Sequence, residues 1–269
     1  MSVRQRNNVS VSGRGATTVV FAHGFGCDQA VWRFLSPAFA DRYRLVAFDL
    51  VGSGHSDLSA YDRARYGNLH GYADDLLEII DEFADGPVIY VGHSVSAMIG
   101  MLAGIKSPGR FLAQVMLAPS PCYINEQGYV GGFTRGDIEE LLETMDANYL
   151  GWSRNVAPLI MGAPNAPQLA AELTSSFCRN DPDIARHFAR VAFLSDHRAD
   201  VARVTVPTLI VQCSDDVIAP LDVGDYLHRN MPGSRLHVVR NIGHCPHMSA
   251  PEDSARLALA FLDSLERQA

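Results

Sequence analysis

The segment from Val88 to Gly100 limits the fold more tightly than any other stretch of the chain. Val88-Ile89-Tyr90-Val91 is a β-branched and aromatic run that ends at Gly92. After His93 and Ser94, small and apolar residues follow at helical spacing. The order is strand, sharp turn, helix, with Ser94 at the apex. A serine held there is exposed and sits at the positive end of a helix, where it can act as a nucleophile. The usual pattern for such a turn is G-x-S-x-G, and here Ser96 takes the last glycine position. Serine is small enough for the close strand–helix approach the turn requires. An N-capping serine after a buried strand leaves the same local pattern, so the turn must be weighed with the rest of the chain.

Strand and helix signals alternate around it. Thr17 to Ala22, Tyr43 to Phe48, Pro87 to Val91 and Gln114 to Ala118 read as buried strands. Ala30 to Phe39 reads as a helix, and Tyr72, Leu76, Ile79, Ile80 and Phe83 form a helical stripe. Continuous apolar strands separated by helices predict an α/β fold with a mostly parallel sheet covered on both faces. From about Tyr123 to Phe193 the rhythm breaks. One helix is expected around Ile138, Leu141, Leu142 and Met145, others over Leu169 to Cys178 and Asp183 to Phe193, and no strand. Strands resume at Val206 to Gln212 and Leu236 to Val239, and a last helix follows Pro251. The division expected is a core of residues 1–122 and 197–269 with a helical subdomain, 123–196, inserted in it.

Composition narrows the function. The net charge is −8 and no basic run occurs, which disfavours nucleic acid and anionic membrane as partners. No apolar segment has bilayer-spanning length, and the N-terminus lacks a signal-like apolar stretch, so a cytoplasmic location is expected. The five cysteines are scattered and odd in number, which argues for reduced thiols.

Ligands of open parallel sheets bind at the carboxyl ends of strands. Four polar loops fall there: His23-Gly24-Phe25-Gly26, the Ser94 turn, Asp215-Asp216-Val217-Ile218-Ala219-Pro220, and Gly243-His244-Cys245-Pro246-His247. Serine, acid and histidine in that order supply a nucleophile, a carboxylate to orient the imidazole, and a base. Asp215 and Asp216 compete for the acid role, with Asp216 favoured by its distance from Pro220; His244 and His247 compete as base, with His244 favoured at the strand end. The backbone N–H groups of Phe25 and Val95 are the expected oxyanion donors. The His244/His247 pair lacks a third ligand cluster, so no metal is expected, and no cofactor. Gly52-Ser53-Gly54 begins like a dinucleotide loop but lacks the third glycine and an immediate helix, and reads as a turn. His93 and Asp49 read as supports of the sheet end.

Several of these segments together are specific. Asp49-Leu50-Val51-Gly52-Ser53-Gly54-His55-Ser56-Asp57, His23-Gly24-Phe25-Gly26-Cys27-Asp28-Gln29, Gly92-His93-Ser94-Val95-Ser96, Pro119-Ser120-Pro121-Cys122-Tyr123, Ser195-Asp196-His197-Arg198 and Gly243-His244-Cys245-Pro246-His247-Met248 resemble the small α/β-hydrolases that include the bacterial stress regulator RsbQ and the plant strigolactone and karrikin receptors. Serine at the Ser96 position occurs in the plant members. The resemblance implies the α/β-hydrolase fold, a triad of Ser94, Asp216 and His244, oxyanion donors at Phe25 and Val95, and a four-helix cap. It also implies an apolar pocket drawing on Phe25, Tyr123, Phe133, Trp152 and Phe193, with Val156 standing where the plant pocket has an aromatic. Two functions follow as expectations. One is hydrolysis of a small apolar ester or lactone through an acyl-enzyme. The other is ligand sensing with slow hydrolysis and a regulatory protein partner at the cap.

Overall fold

The computed structural model describes residues 1–267. Seven strands form one sheet: β1 (Ser10–Gly13), β2 (Thr18–Ala22), β3 (Arg44–Phe48), β4 (Val88–His93), β5 (Phe111–Leu117), β6 (Thr208–Asp215) and β7 (Arg235–Ile242). Their spatial order is β1-β3-β2-β4-β5-β6-β7. β1 is antiparallel to β3, and every other pairing is parallel. β2 and β4 are buried along their whole length, which is why they read as unbroken apolar runs. β1 is a short polar edge strand, largely exposed, and no sequence pattern marked it.

The helices are α1 (Val3–Arg6), α2 (Leu69–Phe83), α3 (Val95–Lys106), α4 (Arg135–Ala147), α5 (Tyr149–Met161), α6 (Pro167–Arg179), α7 (Pro182–Phe193), α8 (Leu221–Asn230), α9 (Pro246–Ser249) and α10 (Pro251–Glu266). Tyr72, Leu76, Ile79, Ile80 and Phe83 all lie on the buried face of α2. The expected helix over Ala30 to Phe39 is instead two 3₁₀ turns, Gln29–Phe34 and Ser36–Phe39. Pro37 disfavours helical geometry at Ser36 and splits the segment.

Four helices, α4 to α7, lie between β5 and β6. α4 begins with a capping box in which Thr134 and Asp137 satisfy each other's backbone N–H groups. The inserted segment leaves and re-enters the sheet at one neck. There Cys122 and Asp196 form an isolated antiparallel bridge, and the His197 N–H donates to Pro121 O at 2.8 Å. Among the described residues no helix is long and apolar enough to cross a membrane.

Candidate active site

The β4–α3 turn carries Ser94 in a conformation L-residues rarely adopt, φ 55° and ψ −122°. Its surroundings impose that geometry. The Ser94 N–H donates to Leu117 O at 2.9 Å, and Tyr90 Oη donates to Ser96 O at 2.7 Å. Gly92 has no room for a side chain, since a Cβ there would stand 2.7 Å from Ser96 O. Ser96, fully buried, is more than a small residue tolerated in place of glycine. Its Oγ donates to His23 O at 2.5 Å and so ties the turn to the end of β2.

Three side chains from distant loops meet in line. Ser94 Oγ and His244 Nε2 are 2.7 Å apart, as are His244 Nδ1 and Asp216 Oδ2. The second oxygen of Asp216 accepts from the Ile218 and Ala219 N–H groups at 2.8 and 3.2 Å, and neither carboxylate nor imidazole side chain is exposed beyond 4%. Nδ1 therefore carries the imidazole proton toward the carboxylate, leaving Nε2 to accept the serine proton. Asp215 is exposed and takes its hydrogen bond from Ser214 Oγ. His247 lies behind the line, with neither ring nitrogen hydrogen-bonded among the described residues. Burial first, then the neighbouring His244 and His23, pushes its pKa down to about 3. His93, held well below the usual histidine range by burial and by His247 and His244, supports the backbone: its Nε2 lies 2.8 Å from His244 O. Asp49 holds the neighbouring loops, accepting from the Gln29 and His55 N–H groups at 2.8 Å.

The loop after β2 presents a second set of donors. The Leu50 N–H donates to His23 Nε2 at 3.0 Å, so the ring proton sits on Nδ1 and goes to Gly24 O at 2.8 Å. The Cys27 N–H donates to the same carbonyl. In a trans peptide the N–H points opposite to the C=O, and the Phe25 N–H is left without an acceptor among the described residues, as is that of Val95. Gly24 lies against the serine, since a Cβ on it would be 3.3 Å from Ser94 Cβ. Two amides beside one hydroxyl can stabilise a developing oxyanion.

Above the line is a cavity of about 30 Å³, lined by Phe25, Tyr123, Ile160, Leu173, Phe177 and Phe193 together with Ser94, Val95 and His244. Burial pushes the Tyr123 hydroxyl up to about 12, opposed by a hydrogen bond with Ser94. Of the pocket residues expected from sequence, Phe25, Tyr123 and Phe193 line the cavity, whereas Phe133, Trp152 and Val156 do not. Trp152 stacks on Phe177 at 6.0 Å and meets Phe25 edge-on at 6.3 Å, so it backs the lining without reaching the space. Phe133 is tied into the neck loop through its own backbone, bonded to Tyr123 and Asn125. Leu173 and Phe177, unassigned in the sequence, continue the four-residue stripe of α6 that starts at Leu169, and that spacing was the available signal.

The comparisons with known proteins agree with this architecture. Residues 19–257 match the model of the alpha/beta hydrolase family. The chain is 41% identical over 251 residues to the karrikin insensitive 2 receptor CA of Petunia hybrida, covering 93% of each. It is 39% identical over 250 residues to a strigolactone esterase of Arabidopsis thaliana, again covering 93% of each. A solved hydrolase from Oleispira antarctica superposes with a TM-score of 0.93 at 42% identity, over 97% of this chain and 96% of that one. With a family match spanning most of its length and relatives of this identity along nearly the whole chain, the protein belongs to the alpha/beta hydrolase family.

Proposed function

We propose that the protein is a serine hydrolase of small, largely apolar esters or lactones, with residues 123–196 acting as a cap over a core of 1–122 and 197–269. The observation that carries this reading is the unbroken line Ser94–His244–Asp216, with two contacts of 2.7 Å, beneath an apolar roof. Ser94 Oγ attacks the carbonyl carbon as its proton passes to His244 Nε2. The charge on the carbonyl oxygen is held by the Phe25 and Val95 amides, and Asp216 stabilises the imidazolium. His244 then gives the proton to the departing alkoxy oxygen as its bond to the acyl carbon breaks. Water, deprotonated by His244, releases the acyl group and restores Ser94. The names of the relatives support the substrate class, since one is called an esterase of strigolactones.

The small cavity supports a second reading, ligand sensing with slow turnover and output to a protein partner through the cap. A cavity of about 30 Å³, against roughly 300 Å³ or more for a typical ligand pocket, admits a ligand only when cap side chains move, and one relative is named a receptor. Steady-state assays separate the two: rapid turnover of simple esters supports the hydrolase, and tight binding with slow turnover supports the sensor.

The test of the chemistry is labelling by a fluorophosphonate probe. Wild-type protein is expected to be labelled at Ser94, and Ser94→Ala to lose labelling and at least about 10⁴-fold in ester turnover while keeping its fold. Labelling at another residue would refute the assignment.

A further inference from the structure

The oxyanion loop is held from two sides, and one side is not the sheet. Gly26 O accepts from Ser176 Oγ at 2.9 Å and from Asn180 Nδ2 at 3.0 Å. Asp28 splits its carboxylate. One oxygen caps the following 3₁₀ turn through the Ala30 N–H at 2.9 Å, and the other takes Arg179 Nη2 at 2.9 Å. Gly26 has φ +75°, and Phe177 lies so close that a Cβ on Gly26 would stand 2.3 Å from Phe177 Cε1. Phe25 itself is packed among Phe177, Phe188 and Phe193 at ring distances of 5.6 to 5.8 Å. Apart from the Ala30 N–H, every one of these partners belongs to α6, α7 or the junction between them.

The helices that grip the loop are also those that close the cavity. Leu173 and Phe177 of α6 and Phe193 of α7 line it, so a ligand of ordinary size enters only if they shift. A shift of α6 releases Gly26 O and the Arg179 side of Asp28 together, leaving the Gly24–Phe25 peptide held only by the bonds at Gly24 O.

We infer that the C-terminal end of α6, through Ser176 and Asn180 on Gly26 O, is a positioning element of the oxyanion hole, so that opening the cap disables the Phe25 donor and reclosure restores it. The inference rests on the hydrolase reading above. It makes Ser176 and Asn180 positioning residues, which act through the Phe25 amide and not on the substrate.

The test is steady-state hydrolysis of p-nitrophenyl acetate, with thermal melts on the same samples. In Ser176→Ala/Asn180→Ala, kcat is expected to fall roughly 10- to 100-fold with KM within about threefold, part of the loss from deleting an oxyanion donor outright. Ser176→Thr, which keeps the hydroxyl, is expected to hold kcat within about twofold of wild type on the same reasoning. Asn180→Asp has the same shape but cannot donate, and is expected to lower kcat even where the double variant is too unstable to assay. A folded double variant, or a folded Asn180→Asp, with wild-type kcat overturns the inference while Ser94→Ala remains dead. Turnover that survives in Ser94→Ala overturns the hydrolase reading itself, and this inference with it.

Discussion

The two loops that converge on Ser94 are anchored in opposite ways. The serine turn is held wholly by the sheet and its neighbours: Leu117 O, Tyr90 Oη and His23 O fix it from β5, β4 and the end of β2. The loop carrying Phe25 takes half its restraint from the core, at His23 and Asp49, and half from Ser176, Arg179 and Asn180. The Ser94 turn is thus fixed without the inserted helices, whereas the Phe25 loop is fixed partly by them, as is His244, whose N–H donates to Ile160 O of α5 at 2.8 Å. A packed sheet end suits a strained backbone that must never relax. A loop at a seam suits a group whose contribution is required only when the pocket is closed.

Breaking the Ser94–His244–Asp216 line should have the largest effect. Asp216→Asn is expected to lower kcat about 10³- to 10⁴-fold through loss of the orienting acid, with Asp215→Asn within about twofold of wild type, both read by ester turnover. Reversal of those two results would move the acid role to Asp215. The glycines sharpen the contrast next. Gly92→Ala meets backbone at 2.7 Å inside the core and should cost about 1–3 kcal/mol of global stability in a urea melt. Gly26→Ala meets a side chain of α6 in a positive-φ turn. It should lower kcat by about 10-fold or more, since a displaced oxyanion donor costs rate before it costs fold. Equal losses of global stability in both would erase the distinction.

The smallest effect concerns the buried imidazoles, which belong to the core side. His247 has its pKa lowered from 6.5 to about 3 by burial, so the unfolded chain binds a proton that the folded one refuses. Stability is therefore fully present above about 6.5 and is lost as pH falls from there toward about 3. Replacement by Phe should flatten that loss by up to about 1.4 kcal/mol per pH unit, measured by denaturant melts at neutral and mildly acid pH. An unchanged slope would mean that His93 or the carboxylates carry it instead.

The same division governs what could be read from the sequence. The elements around Ser94 were legible because β2, β4 and β5 are buried almost throughout and each loop follows a strand end, so periodicity and position coincide. Asp216 and His244 were legible by spacing from Pro220 and Gly243. At the seam, the pattern gave helices but not their facing. Trp152 and Val156 lie on α5, a helix that contains Pro158, and a proline inside a helix hides it from periodicity. Phe133 belongs to a loop pinned by backbone bonds, and no side-chain pattern reports such bonds. The grip of Ser176 and Asn180 on Gly26 joins residues 150 and 154 positions apart, and nothing local to either announces the other.

One feature at the base of the insertion has a wider reach. Because Pro121 and His197 are joined by a hydrogen bond, the polypeptide departs and returns through a doorway about one strand-spacing across. A segment bounded in this way can be exchanged for another of different length with little added chain-closure entropy. An exchanged segment would reshape the cavity above Ser94, provided it also supplied acceptors and donors for the His244 N–H and Gly26 O.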